Sequence, residues 1–145
     1  MTMSTAPAGA SRPLSGQAAG MVVGLAAGLL AVAFTVVLPD PVAYIYVGAQ
    51  LAGVGWIYFG FGVADGRPSA IAVQVLSAVA FMTVGFLGAY HESAALLGAG
   101  YLAHGAWDWL HHDNHGPTHV RTWYPPFCVV VDVVIAVPLL TGWVL

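Results

Sequence analysis

His104, Asp108, His111 and His112 fall at i, i+4, i+7 and i+8 in the stretch YLAHGAWDWLHH, and Asp132 closes the apolar stretch FCVVVD. On a helix the first four share one face. Imidazole together with carboxylate is a donor set suited to Zn, Fe or Mn. The pattern therefore points to a divalent-metal centre with His104, Asp108, His112 and Asp132 as ligands and His111 or His115 completing it. His104, Asp108 and Asp132 are the residues expected to carry chemistry. Two other readings use the same atoms. One is a His–Asp hydrogen-bonded pair, with or without a proton pathway. The other is a polar staple, in which Asp and His bond to neighbouring Trp, Tyr and backbone groups and lock two helices together.

The setting makes these residues informative. Asp108 and Asp132 both lie inside apolar runs of membrane-spanning character. A carboxylate near the bilayer centre costs about 2.5–3.5 kcal/mol on insertion scales, so each needs a partner. Helices rise 1.5 Å per residue. Two antiparallel helices joined by the loop at 113–124 bring His104 and Asp108 to the level of Asp132, with Cys128 lower, near His111 or His112. Gln74 and Tyr58 reach similar depths and are expected as supporting groups. Cys128 supports the site or simply packs as a small hydrophobe. His115 and His119 share the loop with Asp113 and Asn114, where the plain alternative is a solvated polar segment.

The elements that must position this cluster follow from the hydropathy. Of 145 residues, 59% are hydrophobic and 6% charged, against about 25% charged in a soluble domain. Apolar runs of about 20 residues, the length that crosses a bilayer, predict five transmembrane helices at 18–38, 42–64, 69–90, 93–112 and 125–145. Backbone groups in lipid must be satisfied internally, so the fold class is all-α. Residues 1–17 read as a flexible polar lead. The first apolar run is longer than a signal-peptide core of about 7–15 residues and reads as a retained span.

Arg12, Arg67 and Arg121 then fall on one side, while Asp40, His91 and Glu92 face the other. The positive-inside rule places the N-terminus in the cytoplasm and the C-terminus outside a multi-pass cell membrane protein. Gly16, Gly20, Gly24 and Gly28 form a ladder that suits close helix approach, either between copies in a homo-oligomer or within the chain. A net charge of −3 without a basic patch argues against nucleic acid. One cysteine permits no intrachain disulfide. No serine-hydrolase, P-loop or dinucleotide motif is present. Only His104 is deep in a span, which disfavours bis-histidine haem.

Three resemblances add to this reading. The string His104-Gly105-Ala106-Trp107-Asp108 is similar to the H-G-x-x-D motif of the Brp/Blh-type membrane carotene oxygenases, which use non-haem iron; those proteins are about twice this length. HHDNH resembles the H-H-x-x-H boxes of membrane di-iron enzymes, whose several boxes this chain lacks. More broadly, HGAWDWLHH followed by WYPPFCVVVD resembles a group of small, uncharacterised bacterial multi-pass proteins, over roughly the last third of the chain. The leading expectation is a membrane-embedded metal-dependent enzyme, a hydrolase or an iron oxygenase, acting on a lipid-soluble substrate near the cytoplasmic face. A metal-ion or proton carrier and a structural subunit of a larger membrane complex are the alternatives.

Overall fold

The computed structural model describes residues 15–145. The expected flexible lead lies outside the described residues except for its last three positions. Five α-helices follow in order: α1 Gly16–Val37, α2 Asp40–Asp65, α3 Pro68–Tyr90, α4 Ala94–Leu110 and α5 Tyr124–Leu140. A short 3-10 turn, His112–Asn114, lies between the last two. There is no strand among the described residues.

The helix ends have local causes. The Ser15 and Ser93 side chains accept hydrogen bonds from the amides of Ala18 and Leu96, capping α1 and α4. Prolines open α2, α3 and α5, where the missing amide proton costs nothing. α2 stops at Gly66, whose φ of 79° is left-handed and lets the chain reverse into α3 at once.

Three helices, α1, α2 and α3, are long and apolar enough to cross a membrane. α4 and α5 are shorter, with 17 residues each. The surface is that of a membrane protein: Val37, Leu76 and Phe86 point outward, while Gln74, His104, Asp108, His111 and Asp132 are buried. This inversion follows from lipid being as apolar as leucine, so that polar groups face the interior.

Packing is uneven. α2 pairs closely with α3, α4 with α5, and α1 runs along α5 and barely touches its sequence neighbour α2. The glycine ladder explains the α1–α5 pairing. A methyl on Gly20 would stand 2.6 Å from the Trp123 carbonyl, one on Gly24 would strike the Phe127 carbonyl, and one on Gly28 would lie 2.9 Å from Val134. Gly20, Gly24 and Gly28 therefore serve packing within the chain, and Gly16 has nothing against it.

One end of the bundle is tied together by polar contacts. Arg67 donates to Asp65 through Nε at 2.6 Å and Nη2 at 2.8 Å, and also to the Pro117 carbonyl at 3.0 Å. The hydrogen bond and charge of Asp65 push the Arg67 guanidinium pKa above its ordinary value. The His119 amide donates to the same carboxylate at 3.1 Å, and Gln17 reaches Asp113 at 3.4 Å. The start of α1, the α2–α3 turn and the α4–α5 loop thus meet at one end.

Candidate metal centre

α4 carries His104 and Asp108 one turn apart, and α5 brings Asp132 against them. His104 Nδ1 lies 2.9 Å from Asp132 Oδ2 and 3.1 Å from Asp108 Oδ2. All three side chains are at most 1% exposed. One ligand atom from each falls within 4.8 Å of the other two, so the group could hold a metal ion. Donors next to one another around an ion with bonds of about 2.0–2.2 Å stand about 3.0–3.5 Å apart. The two nitrogen–oxygen separations are close to that spacing.

Hydrogen bonding alone leaves this cluster incomplete. A ring nitrogen carries one proton at most, and the geometry directs it to Asp132. Both oxygens of Asp108 and Nε2 of His104 are buried without a hydrogen-bond partner. The hydroxyl of Tyr58 makes no well-formed hydrogen bond either, but it lies within reach of Asp108, the one nearby acceptor it can turn to. Buried polar atoms are nearly always satisfied, and a group of unpartnered ones points to an ion or water.

The rings of Phe81 and Tyr58 wall the imidazole at 4.8 and 6.0 Å. Gly105 clears the way for Asp132: a methyl there would stand 3.4 Å from its Cβ and 3.6 Å from Oδ2. Gly105→Ala is expected to be tolerated, because those are ordinary contacts. Gly105→Val is expected to push Asp132 off the site. Bound metal should then fall at least about tenfold, as for a lost ligand-orienting group, while the circular-dichroism helix signal persists. Full metal content in the valine variant would refute this role of the glycine.

His111 stands apart from the three. Its Nδ1 lies 2.9 Å from the Trp107 carbonyl, which can only accept, so the proton sits on Nδ1. Nε2 then accepts from Gln74 Nε2 at 2.9 Å. The second Gln74 N–H goes to Thr118 Oγ1 at 2.9 Å, and its carbonyl oxygen accepts from Ser77 at 3.3 Å. Both ring nitrogens of His111 are thus occupied by protein groups. Gly116 lies flat against the ring, since a Cβ there would meet His111 Cδ2 at 2.5 Å. This network fastens the loop to α3 and α4.

The remaining expected residues are placed as follows. His112 is half-buried, stacked on Trp109 at 5.2 Å, with Nδ1 3.1 Å from Asp113. His115 is exposed and donates to the His112 carbonyl at 2.9 Å. Neither joins the buried group. Gln74 serves His111 rather than the carboxylates. Cys128 is buried with Tyr58 and Tyr124. Two site-forming residues, Phe81 and Thr118, carry no signal of spacing or charge that would single them out in the sequence.

His104, Asp132 and Cys128 also line a partly open groove of about 480 Å³ between α1, α2, α4 and α5. Its walls are otherwise mostly apolar.

A family described as "Family of unknown function (DUF6010)" matches residues 19–143. The chain belongs to that family. The match spans α1 to α5, so the whole cluster and the His111 network of this DUF6010 chain lie inside it. No curated protein and no solved structure matches the DUF6010 chain.

Proposed function

We propose that this is a five-span protein of the cell membrane, N-terminus cytoplasmic and C-terminus outside, that binds a divalent metal and uses it to act on a lipid-soluble substrate. One observation carries the reading: two buried carboxylates and one imidazole converge at ligand spacing, with Asp108 otherwise unpartnered. Charge supports it. A divalent ion with neutral His104 balances the charge of both carboxylates. Arg67 and Arg121, placed on the side of the α2–α3 turn and the α4–α5 loop, support that side as cytoplasmic.

Zn, Fe or Mn at this position would supply Lewis-acid or oxygen-dependent chemistry. The chain's own groups have separate duties. His104 and Asp132 lie on the groove wall, where a substrate meets them. Asp108 lies beside Tyr58, whose hydroxyl is suited to hold a proton next to the carboxylate. An enzyme is preferred to a carrier because a carrier needs a polar path to the opposite face. In that half of the bundle Leu51, Leu97 and Leu139 fill the core, and the Tyr101 hydroxyl is spent on the Val47 carbonyl at 3.0 Å.

The test is elemental mass spectrometry of protein purified in mild detergent, beside Asp108→Ala and His104→Ala. Wild type should carry about one ion per chain and each variant less than about a tenth of that. Folded wild type without Zn, Fe or Mn would overturn the metal reading and leave a His–Asp hydrogen-bonded pair.

A further inference from the structure

The groove beside His104 and Asp132 has a shape and a polarity that define what enters it. α1 and α2 meet near their shared turn, where Phe34 contacts Tyr46 at 6.3 Å, and otherwise pack little against each other. The groove occupies this gap. Its lining includes Ile57, 44% exposed on a helix able to span a membrane, so the groove reaches the apolar outer surface of the bundle. Ala27 and Ala31 on the α1 side leave room. A pocket of this size, about 480 Å³, suits one small molecule or one chain.

Two polar features mark the groove. At one level stand Asp132 and His104, the latter 1% exposed with Nε2 unpartnered. Further along is Gln50, within a helix able to span a membrane, lining the groove with Gly53 and Ile57 on one α2 face. The Gln50 amide has no hydrogen-bond partner among the described residues. Tyr58, against the His104 ring, is eight residues from Gln50, or about 12 Å along the helix.

From these features we infer that the groove binds a neutral single-chain lipid bearing a hydroxyl or carbonyl, taken up laterally between α1 and α2, with the oxygen on Gln50 and the chain lying across His104 and Asp132. A neutral amide at that depth pairs with a neutral oxygen function. An ionised headgroup would have to give up its water inside this mostly apolar groove, which disfavours fatty-acid anions and phospholipids as ligands. The catalytic use of the bound chain rests on the metal reading; binding itself rests on the groove alone.

The probe is hexadecanol carrying a mid-chain diazirine, photolysed with the protein in phosphatidylcholine nanodiscs and mapped by peptide mass spectrometry. Label should concentrate on α2 and α5 peptides facing the groove, and hexadecanol should compete at least about tenfold better than palmitate at neutral pH. A Cβ added at Gly53 meets nothing within 4 Å, and Gly53 lines the groove, so Gly53→Phe directs a ring into that space. It should cut groove labelling at least about tenfold, and Gln50→Leu several-fold. Should Gly53→Phe misfold, Ala27→Leu narrows the same space from α1 and should lower labelling likewise.

Labelling spread evenly over outward positions such as Leu76 and Phe86, or unchanged in the blocked variants, would overturn the proposal. The same labelling on Asp108→Asn separates the two ideas. Groove labelling that persists in a chain free of metal upholds the lipid site even where the metal reading fails, and metal without groove labelling does the reverse.

Discussion

Chelation of wild-type protein should lower its unfolding midpoint, and the same treatment should leave Asp108→Asn unmoved. An ion that binds only the folded state adds about 2.7 kcal/mol when free ion stands at a hundred times its Kd. Asn keeps the shape of Asp108 and removes the charge, so it separates coordination from packing. Metal-free Asp108→Asn should also unfold later than metal-free wild type. The reason is that wild type must then hold two carboxylates around one imidazole in a dry interior. Thermal unfolding in detergent, followed by circular dichroism with and without chelator, reads both effects. An equal drop in the two proteins, or none in wild type, would remove the basis for a metal at Asp108.

The second large effect concerns His111, three positions beyond Asp108 and seven beyond His104. His111→Leu should destabilise the fold by about 2–6 kcal/mol, because it strands the Trp107 carbonyl and a Gln74 N–H in the interior at about 1–3 kcal/mol each. Metal content should stay at the wild-type level. Gln74→Leu should cost a similar amount, and the double variant less than the sum, since removing both partners leaves fewer orphaned groups than removing one. A His111→Leu protein that is stable but loses its metal would show that this histidine is a ligand after all.

The contrast between these two histidines also shows how far the sequence can be read. Spacing of i, i+4 paired His104 with Asp108 because α4 is regular there. Depth along antiparallel helices brought Asp132 to the same level. The same helical face extended to His111 and His112 goes astray for a local reason. α4 ends at Leu110, His111 already has ψ near −2°, and Asp113 turns left-handed at φ 53°. Past that point residue spacing no longer reports direction. Gln74 sits at the expected depth, yet it meets His111 and Thr118, because its position around the α3 axis follows from α2–α3 packing that a one-dimensional pattern does not contain. The glycine ladder was legible as a close-packing face. Its partner was not, since a row of glycines accepts any backbone, and here that backbone is α5.

That α1–α5 pairing has a consequence for biosynthesis. α1 is made before α2, α3 and α4, and α5 after them, whereas α2 and α3 are joined by only Gly66 and Arg67 and can pair as soon as both exist. α1 must wait, with Gly20, Gly24 and Gly28 uncovered, until α5 has been made. Joining α1 to α5 is the longest closure among the described helices and the slowest by loop entropy. α1 and α5 also wall the groove, and α5 supplies Asp132, so the site is assembled only once α5 is in place. An ion or a lipid would meet the half-built chain in an open state that the finished protein no longer offers. Loading during membrane insertion is therefore a route to be compared with loading afterwards.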